Sequence, residues 1–252
     1  MTPPRIVATV EARMGSSRLP GKVLMHAAGQ PLLQILVDRL RRASHLTDVM
    51  IATTTSPGDD AIAELADTIG VPVFRGSEND VLGRVCGALG AADADVCVEI
   101  TGDCPLIDPD IVDETISAYL ATADTHPYVS NSDPYRSVPA GLDVQVFPAE
   151  VLAHLNEETQ DPDDREHVSF GFYRPESGDR WNPRFIRHAA CKGAEDLLVT
   201  LDYLEDYELI RRLHEDVSAA VPRYGAADII EWIRQHPELH EACRRVRAAD
   251  AG

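Results

Sequence analysis

Residues 5–22 read RIVATVEARMGSSRLPGK, a short β-branched run that passes directly into a loop rich in glycine, serine and cations. The run predicts a first strand at residues 5–10, because β-branched residues favour extended backbone. The segment PLLQILVDRLRRAS begins at Pro31 and carries leucines and valine at helical spacing, so it predicts the first helix. Strand, loop and helix in this order are typical of a parallel α/β sheet.

The alternation of strand and helix continues through the first 125 residues. Further strands are predicted at residues 48–53, 71–74 and 95–100. Helices are predicted at residues 59–70, 81–92 and 108–120. Because DVCVEI at residues 95–100 is almost continuously apolar, it is typical of a strand that is buried on both faces. The sequence therefore predicts a mostly parallel α/β sheet with helices on both of its faces.

The pattern loosens between about residues 128 and 190, where proline- and glycine-rich breaks surround one predicted strand at residues 142–147. We interpret this part as an arm that leaves the main domain. The chain then returns through a predicted strand at residues 197–202. Predicted helices follow at residues 203–216, 226–235 and 238–247. Since α/β chains of this length often form one domain, we predict a single domain over residues 1–252.

Composition excludes several classes of protein. The formal net charge of −19 repels polyanions, so nucleic-acid partners and anionic membrane surfaces are disfavoured. No apolar run approaches the roughly 18 residues of a membrane span, and the first residues lack a signal peptide's apolar stretch, which predicts a cytoplasmic protein without membrane insertion. Five widely spaced cysteines argue against a disulfide framework and a thiolate zinc site. His26, His188 and His236 lack metal-ligand spacing and are expected at the surface.

The loop after the first strand has the composition of an anion site. Loops at the carboxyl ends of parallel strands are where such sheets bind ligands. Gly15 and Gly21 let backbone N–H groups approach an anion, while Arg13, Arg18 and Lys22 supply the charge for a polyphosphate. The spacing fits neither a P-loop nor a dinucleotide fingerprint. A solvated cationic loop is the alternative, but position, glycines and three cations together favour a nucleoside triphosphate site.

Three stretches carry a resemblance to a known family: ARMGSSRLPGK, VFRGSENDVLGR and TGDCPLIDP. They look like the cytidylyltransferase group that includes the spore-coat polysaccharide protein SpsF and, more distantly, the enzymes that make CMP-KDO and CMP-sialic acid. The resemblance covers about residues 5–216. It implies a Rossmann-like nucleotidyltransferase fold of glycosyltransferase-A type, with a small dimerisation arm and hence a homodimer.

Carboxylates are expected to face the cationic loop, because a triphosphate normally arrives with Mg²⁺, which prefers oxygen ligands. Asp103 follows a buried strand at the ligand-binding edge and is the first candidate, with helix capping as its alternative. Asp108 suits capping better, because Pro109 follows it. The resemblance implies Asp202 as the facing metal ligand, although this chain has DYLED where the family usually has DEPED; its alternative is again a helix cap. Cys104 is expected to pack rather than to react.

The resemblance also implies roles for residues in a nucleotidyl transfer that needs no covalent enzyme intermediate. The implied catalytic residues are Arg13, Arg18, Lys22 and Asp103. The implied nucleotide-binding residues are Ala12, Gly15, Ser16, Thr53, Thr54, Gly76, Ser77, Asp80 and Arg84. The residues implied at the acceptor are Gly141, Asp143, Arg165, Glu166 and His167. For single residues, plain structural roles stay open: Ser77 and Asp80 as a helix start, Arg84 in solvent, and residues 165–167 as a capping turn.

Together these observations predict a Mg²⁺-dependent cytidylyltransferase. It would transfer CMP from CTP to a hydroxyl of a sugar acid of the nonulosonic type, release pyrophosphate and serve surface glycan synthesis. One alternative is a nucleotidyltransferase that uses another base or a non-sugar acceptor, such as an alcohol or a phosphonate. The other alternative is a catalytically silent nucleotide-binding module.

Overall fold

The computed structural model describes residues 3–132, 134–178 and 180–250. The strands, in chain order, are β1 (Ile6–Glu11), β2 (His26–Ala27), β3 (Gln30–Pro31), β4 (Asp48–Thr54), β5 (Val73–Gly76), β6 (Val96–Thr101), β7 (Val129–Ser130), β8 (Gln145–Pro148) and β9 (Arg184–Phe185). The helices are α1 (Leu32–Leu40), α2 (Asp60–Thr68), α3 (Val81–Ala91), α4 (Pro109–Leu120), α5 (Ala149–Glu158), α6 (Pro162–Glu166), α7 (Phe170–Tyr173), α8 (Leu204–Ala220), α9 (Ala226–Gln235) and α10 (Pro237–Asp250).

Seven of these strands form one sheet in the order β5-β4-β1-β6-β8-β7-β9. Strands β5, β4, β1 and β6 pair in parallel, β8 runs antiparallel to β6 and β7, and β7 pairs in parallel with β9. The predicted α/β class with a mostly parallel sheet is therefore confirmed, with β8 as the antiparallel element. The parallel half brings the carboxyl ends of β1, β4 and β6 to one edge.

Helices cover both faces of the sheet, as predicted. One core joins apolar residues of α1, α4, α8 and α9 to one face, and a second joins α3 and α5 to the other face through Cys97 of β6 and Phe147 of β8. The strands of the first half alternate between the first core and the opposite face, where Val7, Met50 and Ala52 form a third cluster with Ala88 of α3, which explains their apolar character. Among the described helices, none is long and apolar enough to cross a membrane.

The two late strand predictions need correction. The strand predicted at residues 142–147 begins only at Gln145, because Leu142 donates its N–H to Pro139 in a turn. The strand predicted at residues 197–202 is wrong: this extended segment makes a single bridge, between Leu198 and Ala140. Its apolar residues are buried between loops and helices, and such burial gives the same sequence pattern as a buried strand.

Residues 128–190 contribute β7, β8 and β9 to the main sheet. Stacked and tilted rings of Tyr128, Phe147 and Phe172 hold this part together, with centroids 5.1–6.1 Å apart. Helices α5 and α6 pack against α3 of the first half. The segment is thus joined to the main sheet through its strands, and its role as a dimerisation arm stays a prediction.

His188 is buried, so the expectation of a surface position for it is wrong. Its Nδ1 lies 2.6 Å from Oε2 of Glu114, and its Nε2 lies 3.4 Å from the hydroxyl of Thr115. Both partners belong to α4. The histidine therefore fixes the chain after β9 to that helix.

Asp108 caps two helices at once. Its Oδ1 accepts the N–H of Asp110 in the first turn of α4 at 3.0 Å, which confirms the predicted capping role. Its Oδ2 accepts the N–H of Ala226, the first residue of α9, at 2.5 Å. One buried carboxylate therefore satisfies backbone donors at two helix starts that are far apart in sequence.

Asp108→Ala should lower the free energy of unfolding by about 1–3 kcal/mol, because it leaves buried N–H groups of two helices without acceptors. Urea unfolding of the purified variant checks this. The matched control is Asp124→Ala, which removes an exposed aspartate and should leave the urea midpoint unchanged. Equal midpoints for wild type and Asp108→Ala would contradict the double-cap role.

Candidate active site

A cavity of about 590 Å³ opens at the carboxyl ends of β1 and β6. Its walls are the loop after β1, residues 101–103 after β6, the first turn of α3 and the segment from α6 to α7. Its volume lies within the range of small-molecule sites. The cavity therefore occupies the edge of the sheet at which the sequence predicts ligand binding.

Lys22 lies at the centre of the charged part of this cavity. Gly21 adopts a φ of +73°, a conformation that favours glycine, and Lys22 then begins a short 3-10 helix. The ammonium Nζ donates to the carbonyl oxygen of Leu201 at 2.5 Å and to Oδ1 of Asp202 at 2.9 Å. It also lies 3.8 Å from Oδ2 of Asp103. Only 13% of the side chain is exposed.

The other two cations of the loop differ in position. Arg13 lines the cavity and pairs with Glu78 at 3.5 Å across its rim. Arg18 does not line the cavity: its Nε lies 3.1 Å from Oδ2 of Asp250 on α10, and its guanidinium covers the ring of Tyr203. The structure thus brings Arg13 and Lys22 together, and the catalytic role of Arg18 stays a prediction.

Asp59 fixes the loop after β1 through a backbone hydrogen bond. Its Oδ1 accepts the N–H of Met14 at 2.7 Å, and its Oδ2 accepts the hydroxyl of Thr54. Thr54 and Thr53 are both buried, and neither lines the cavity. Of the predicted nucleotide-binding residues in the loop, Ala12 and Ser16 line the cavity, while Gly15 does not. Thr54 therefore acts on the site by positioning the loop.

Asp202 is oriented toward the lysine rather than toward the helix that follows. The N–H groups of Asp202 and Tyr203 are both accepted by Oδ2 of Asp206 at 2.9 Å, so Asp206 does the capping of α8. This leaves the carboxylate of Asp202 to Lys22 and to Arg247 of α10, whose Nη2 lies 3.7 Å away. The capping alternative for Asp202 is therefore wrong. Nothing in the sequence singles out Arg247.

The two carboxylates fit a hard divalent cation. Asp103 and Asp202 each place an oxygen within 4 Å of one ammonium group, so both already converge on a positive charge. The part of the chain that the structure describes holds no cluster of three or more metal-binding side chains. Mg²⁺ commonly takes one or two carboxylates and fills its other positions with phosphate oxygens and water. The pair suits a metal that arrives with a triphosphate.

Arg84 is buried at the base of the cavity, so the alternative that places it in solvent is wrong. Only 3% of it is exposed, and its Nη1 donates to the carbonyl oxygen of Ser77 at 2.5 Å. Burial lowers the pKa of Arg84, against the attraction of Glu11. A Cβ on Gly76 would lie 3.1 Å from the Arg84 side chain, so the glycine makes room for it. Asp80 caps α3 by accepting the N–H of Gly83.

The predicted acceptor residues divide into two groups. Glu166 and His167 line the cavity and are exposed. Arg165 does not line it: its guanidinium contacts Asp80, Asn156 and the carbonyl of Thr159. The motif REHV therefore sends a glutamate and a histidine into the cavity and uses its arginine to join α6 to α3.

Gly141 and Asp143 support the walls and do not line the cavity. The carboxylate of Asp143 accepts the N–H of Gly141 at 2.8 Å and pairs with Arg136 at 2.5 Å. Gly141 has a φ of +101°, and a Cβ there would lie 2.5 Å from the carbonyl carbon of Val199. The glycine thus permits close packing against the segment that leads to Asp202.

Cys104 packs as expected. It is buried, and this burial raises the pKa of the Cys104 thiol well above its ordinary value. The neighbouring charge of Asp103 raises this pKa further, by a smaller amount. A buried neutral thiol is a poor nucleophile.

Two glutamates in the cavity, Glu11 and Glu99, were not among the predicted site residues. Glu99 is 5% exposed, and burial raises its pKa to about 7. Burial and the neighbouring Glu99 also raise the pKa of Glu11 well above its usual value. A glutamate inside the apolar run DVCVEI was the available signal, because a buried strand rarely carries a charge without a functional reason.

Gly141→Ala should lower the free energy of unfolding by about 1–3 kcal/mol, because the new Cβ meets backbone and the residue must keep a positive φ. Thermal and urea unfolding check this. Gly90→Ala is the control: a Cβ at this position in α3 meets nothing within 4 Å, so the variant should be as stable as wild type or slightly more stable. Equal stability of Gly141→Ala and wild type would contradict the close approach.

Comparisons with known proteins indicate the family of this chain. The family model described as cytidylyltransferase matches residues 7–221. The spore coat polysaccharide biosynthesis protein SpsF of Bacillus subtilis is 30% identical over 238 residues, covering 92% of this chain and 95% of that protein. An 8-amino-3,8-dideoxy-manno-octulosonate cytidylyltransferase of Shewanella pealeana is 34% identical over 117 residues, covering 44% of this chain and 46% of that protein.

The fold comparison leads to the same family. The structure of a cytidylyltransferase from Leptospira borgpetersenii matches with a TM-score of 0.82 at 28% identity, covering 94% of this chain and 95% of that one. The predicted nucleotidyltransferase fold is thereby confirmed. The family model spans most of the chain, and SpsF is similar to it along nearly its whole length. This protein therefore belongs to the cytidylyltransferase family.

Proposed function

We propose that this protein is a Mg²⁺-dependent cytidylyltransferase that transfers CMP from CTP to a hydroxyl of a sugar acid and releases pyrophosphate. The observation that carries the proposal is the position of Lys22, which lines the cavity and lies between the carboxylates of Asp103 and Asp202. A cation flanked by two metal-binding carboxylates suits the transfer of a nucleotidyl group from a triphosphate.

The loop after β1 would hold the triphosphate. Arg13 and Lys22 would offset the charge that develops on the departing pyrophosphate, and Ser16 would add a hydrogen-bond donor. Asp103 and Asp202 would hold Mg²⁺, which when bound supplies charge neutralisation at the phosphate. Lys22 is fixed by the carbonyl of Leu201, so its ammonium is positioned before the ligand arrives.

The nucleoside and the acceptor would occupy different parts of the cavity. The base would lie against Arg84 and the backbone of Ala12, which line the cavity. The acceptor would lie against Glu166, His167 and Gln145, which also line it, and the histidine and the amide offer donors to an acceptor's oxygens. A sugar acid such as 3-deoxy-manno-octulosonate, or its 8-amino form, fits this division, and family relatives support it.

The setting of the reaction belongs to the same proposal. We infer a cytoplasmic enzyme of surface glycan synthesis, which acts as a homodimer through residues 128–190. Family resemblance supports each of these statements. Sedimentation velocity of the full chain at micromolar concentration tests the dimer. Deleting residues 128–190 would not test it, because Tyr128 and Phe172 of this segment belong to the core and the protein would lose packing.

Lys22→Ala should reduce pyrophosphate release by about 100-fold or more while the protein remains folded, because the departing charge loses its fixed cation. Steady-state assays with CTP, Mg²⁺ and acceptor measure the loss. The chain offers a matched control, since Lys192 is its only other lysine and is exposed. Lys192→Ala should keep wild-type activity, and a fully active Lys22→Ala enzyme would contradict the assigned role.

The deciding experiment is a panel of CTP, UTP, GTP and ATP against sugar acids, simple alcohols and phosphonates, each with and without Mg²⁺. Turnover that requires CTP, Mg²⁺ and a sugar acid supports the proposal. Turnover with another base or a non-sugar acceptor would replace it with the corresponding nucleotidyltransferase. CTP binding without pyrophosphate release on any acceptor would indicate a silent nucleotide-binding module.

A further inference from the structure

Glu11 and Glu99 form a pair of acidic side chains on adjacent strands. In the parallel register of β1 and β6, Glu99 lies opposite Thr9 and Glu11 lies opposite Thr101. The two glutamates are therefore offset by two residues, and since strand side chains alternate, both project from the same face of the sheet. Both line the active-site cavity.

In the described part of the chain, three of the four carboxylate oxygens of this pair have no hydrogen-bond partner, whereas Glu99 also has a side-chain hydrogen bond with Ser169. Among the described residues, neither carboxylate oxygen of Glu11 and not Oε2 of Glu99 has a hydrogen-bond partner, although all three atoms are buried. Arg84 of α3 attracts Glu11, but no ion pair within 4 Å joins the two in the described part of the chain, and the Nη1 of Arg84 donates to the carbonyl oxygen of Ser77. Buried polar atoms without partners are rare in folded proteins, so they point to a ligand.

The chemistry of the pair selects the ligand group. Two adjacent carboxyl groups offer several acceptor oxygens and, when ionised, repel an anion, so a substrate carboxylate or phosphate is disfavoured there. An amino group presents two or three N–H donors to several acceptors, whereas a hydroxyl presents one. The site therefore favours an amino group over a hydroxyl or a keto oxygen at the same position.

We propose that Glu11 and Glu99 form a subsite that binds an amino group of a substrate. This inference rests on the proposed cytidylyltransferase activity, because it assigns the group to one of that reaction's two substrates. Two sources of the amine are possible. Glu11 precedes Ala12, against which the base would lie, so the exocyclic amine of cytosine would reach it. Glu99 lies opposite Gln145 in the β6–β8 ladder, against which the acceptor would lie, so the amine of an amino sugar acid would reach it.

The test compares ligand pairs that differ by the amino group. The base arm measures calorimetric binding of CTP and UTP with no acceptor present. The acceptor arm measures binding of 8-amino-3,8-dideoxy-manno-octulosonate and 3-deoxy-manno-octulosonate to the CMP-bound protein. The variants are Glu11→Gln and Glu99→Gln, which keep the side-chain shape, and Glu157→Gln is the control because Glu157 is exposed on α5.

In at least one arm, the wild type should bind the amino-bearing ligand about tenfold more tightly, and at least one glutamine variant should reduce that ratio about tenfold. Glu157→Gln should leave both ratios unchanged. The arm that responds identifies the source of the amine. Ratios that stay within about twofold of wild type in both arms, for both folded variants, would overturn the subsite and leave the pair a structural feature.

These outcomes are separate from those of the proposed function. The subsite depends on ratios of dissociation constants, whereas the transferase activity depends on pyrophosphate release. If the wild type binds neither sugar acid, the base arm alone decides the subsite, and an unchanged ratio of CTP to UTP binding would overturn it.

Discussion

The ammonium of Lys22 lies between the carbonyl of Leu201 and the carboxylates of Asp202 and Asp103, and this contact joins three separate parts of the chain. The lysine comes from the loop after β1, Asp103 from the end of β6, and Asp202 from the segment before α8. Because the lysine is largely buried, its attraction to the two carboxylates is screened less than that of a surface pair. The contact thereby ties the loop after β1 to the end of β6 and to the segment before α8.

The acidity of the chain gives this arrangement its selectivity. With 42 acidic and 23 basic residues, an anion meets repulsion over much of the surface. Arg13 and Lys22 bring two cations to the cavity beside the carboxylate of Asp103, and Arg18 pairs with Asp250 of α10 outside it. A metal-bound triphosphate, which carries both signs of charge, matches a site where carboxylates and cations alternate.

Sequence patterns predicted the elements of the first half well, because periodicity and strand-to-loop transitions there are strong. Asp103 could be placed at the cavity since it follows a buried strand. Local sequence patterns could not predict long-range packing. The buried segment at residues 197–202 has the apolar pattern of a strand but makes only one bridge. The contact of Arg247 with Asp202 depends on how α10 packs, which no local pattern shows. Motif matching also could not separate residues that line a wall from those that hold it, as Arg165 shows.

The pairing of Lys22 with Asp202 spans 180 residues of sequence, and that of Arg18 with Asp250 spans 232. Closing loops of this length costs chain entropy, which the packing of the completed fold must offset. A chain in which these contacts are open lacks the ordered cationic loop and its facing carboxylates. A ligand that binds this arrangement would, by mass action, draw the folding equilibrium toward the native protein and protect it from unfolding.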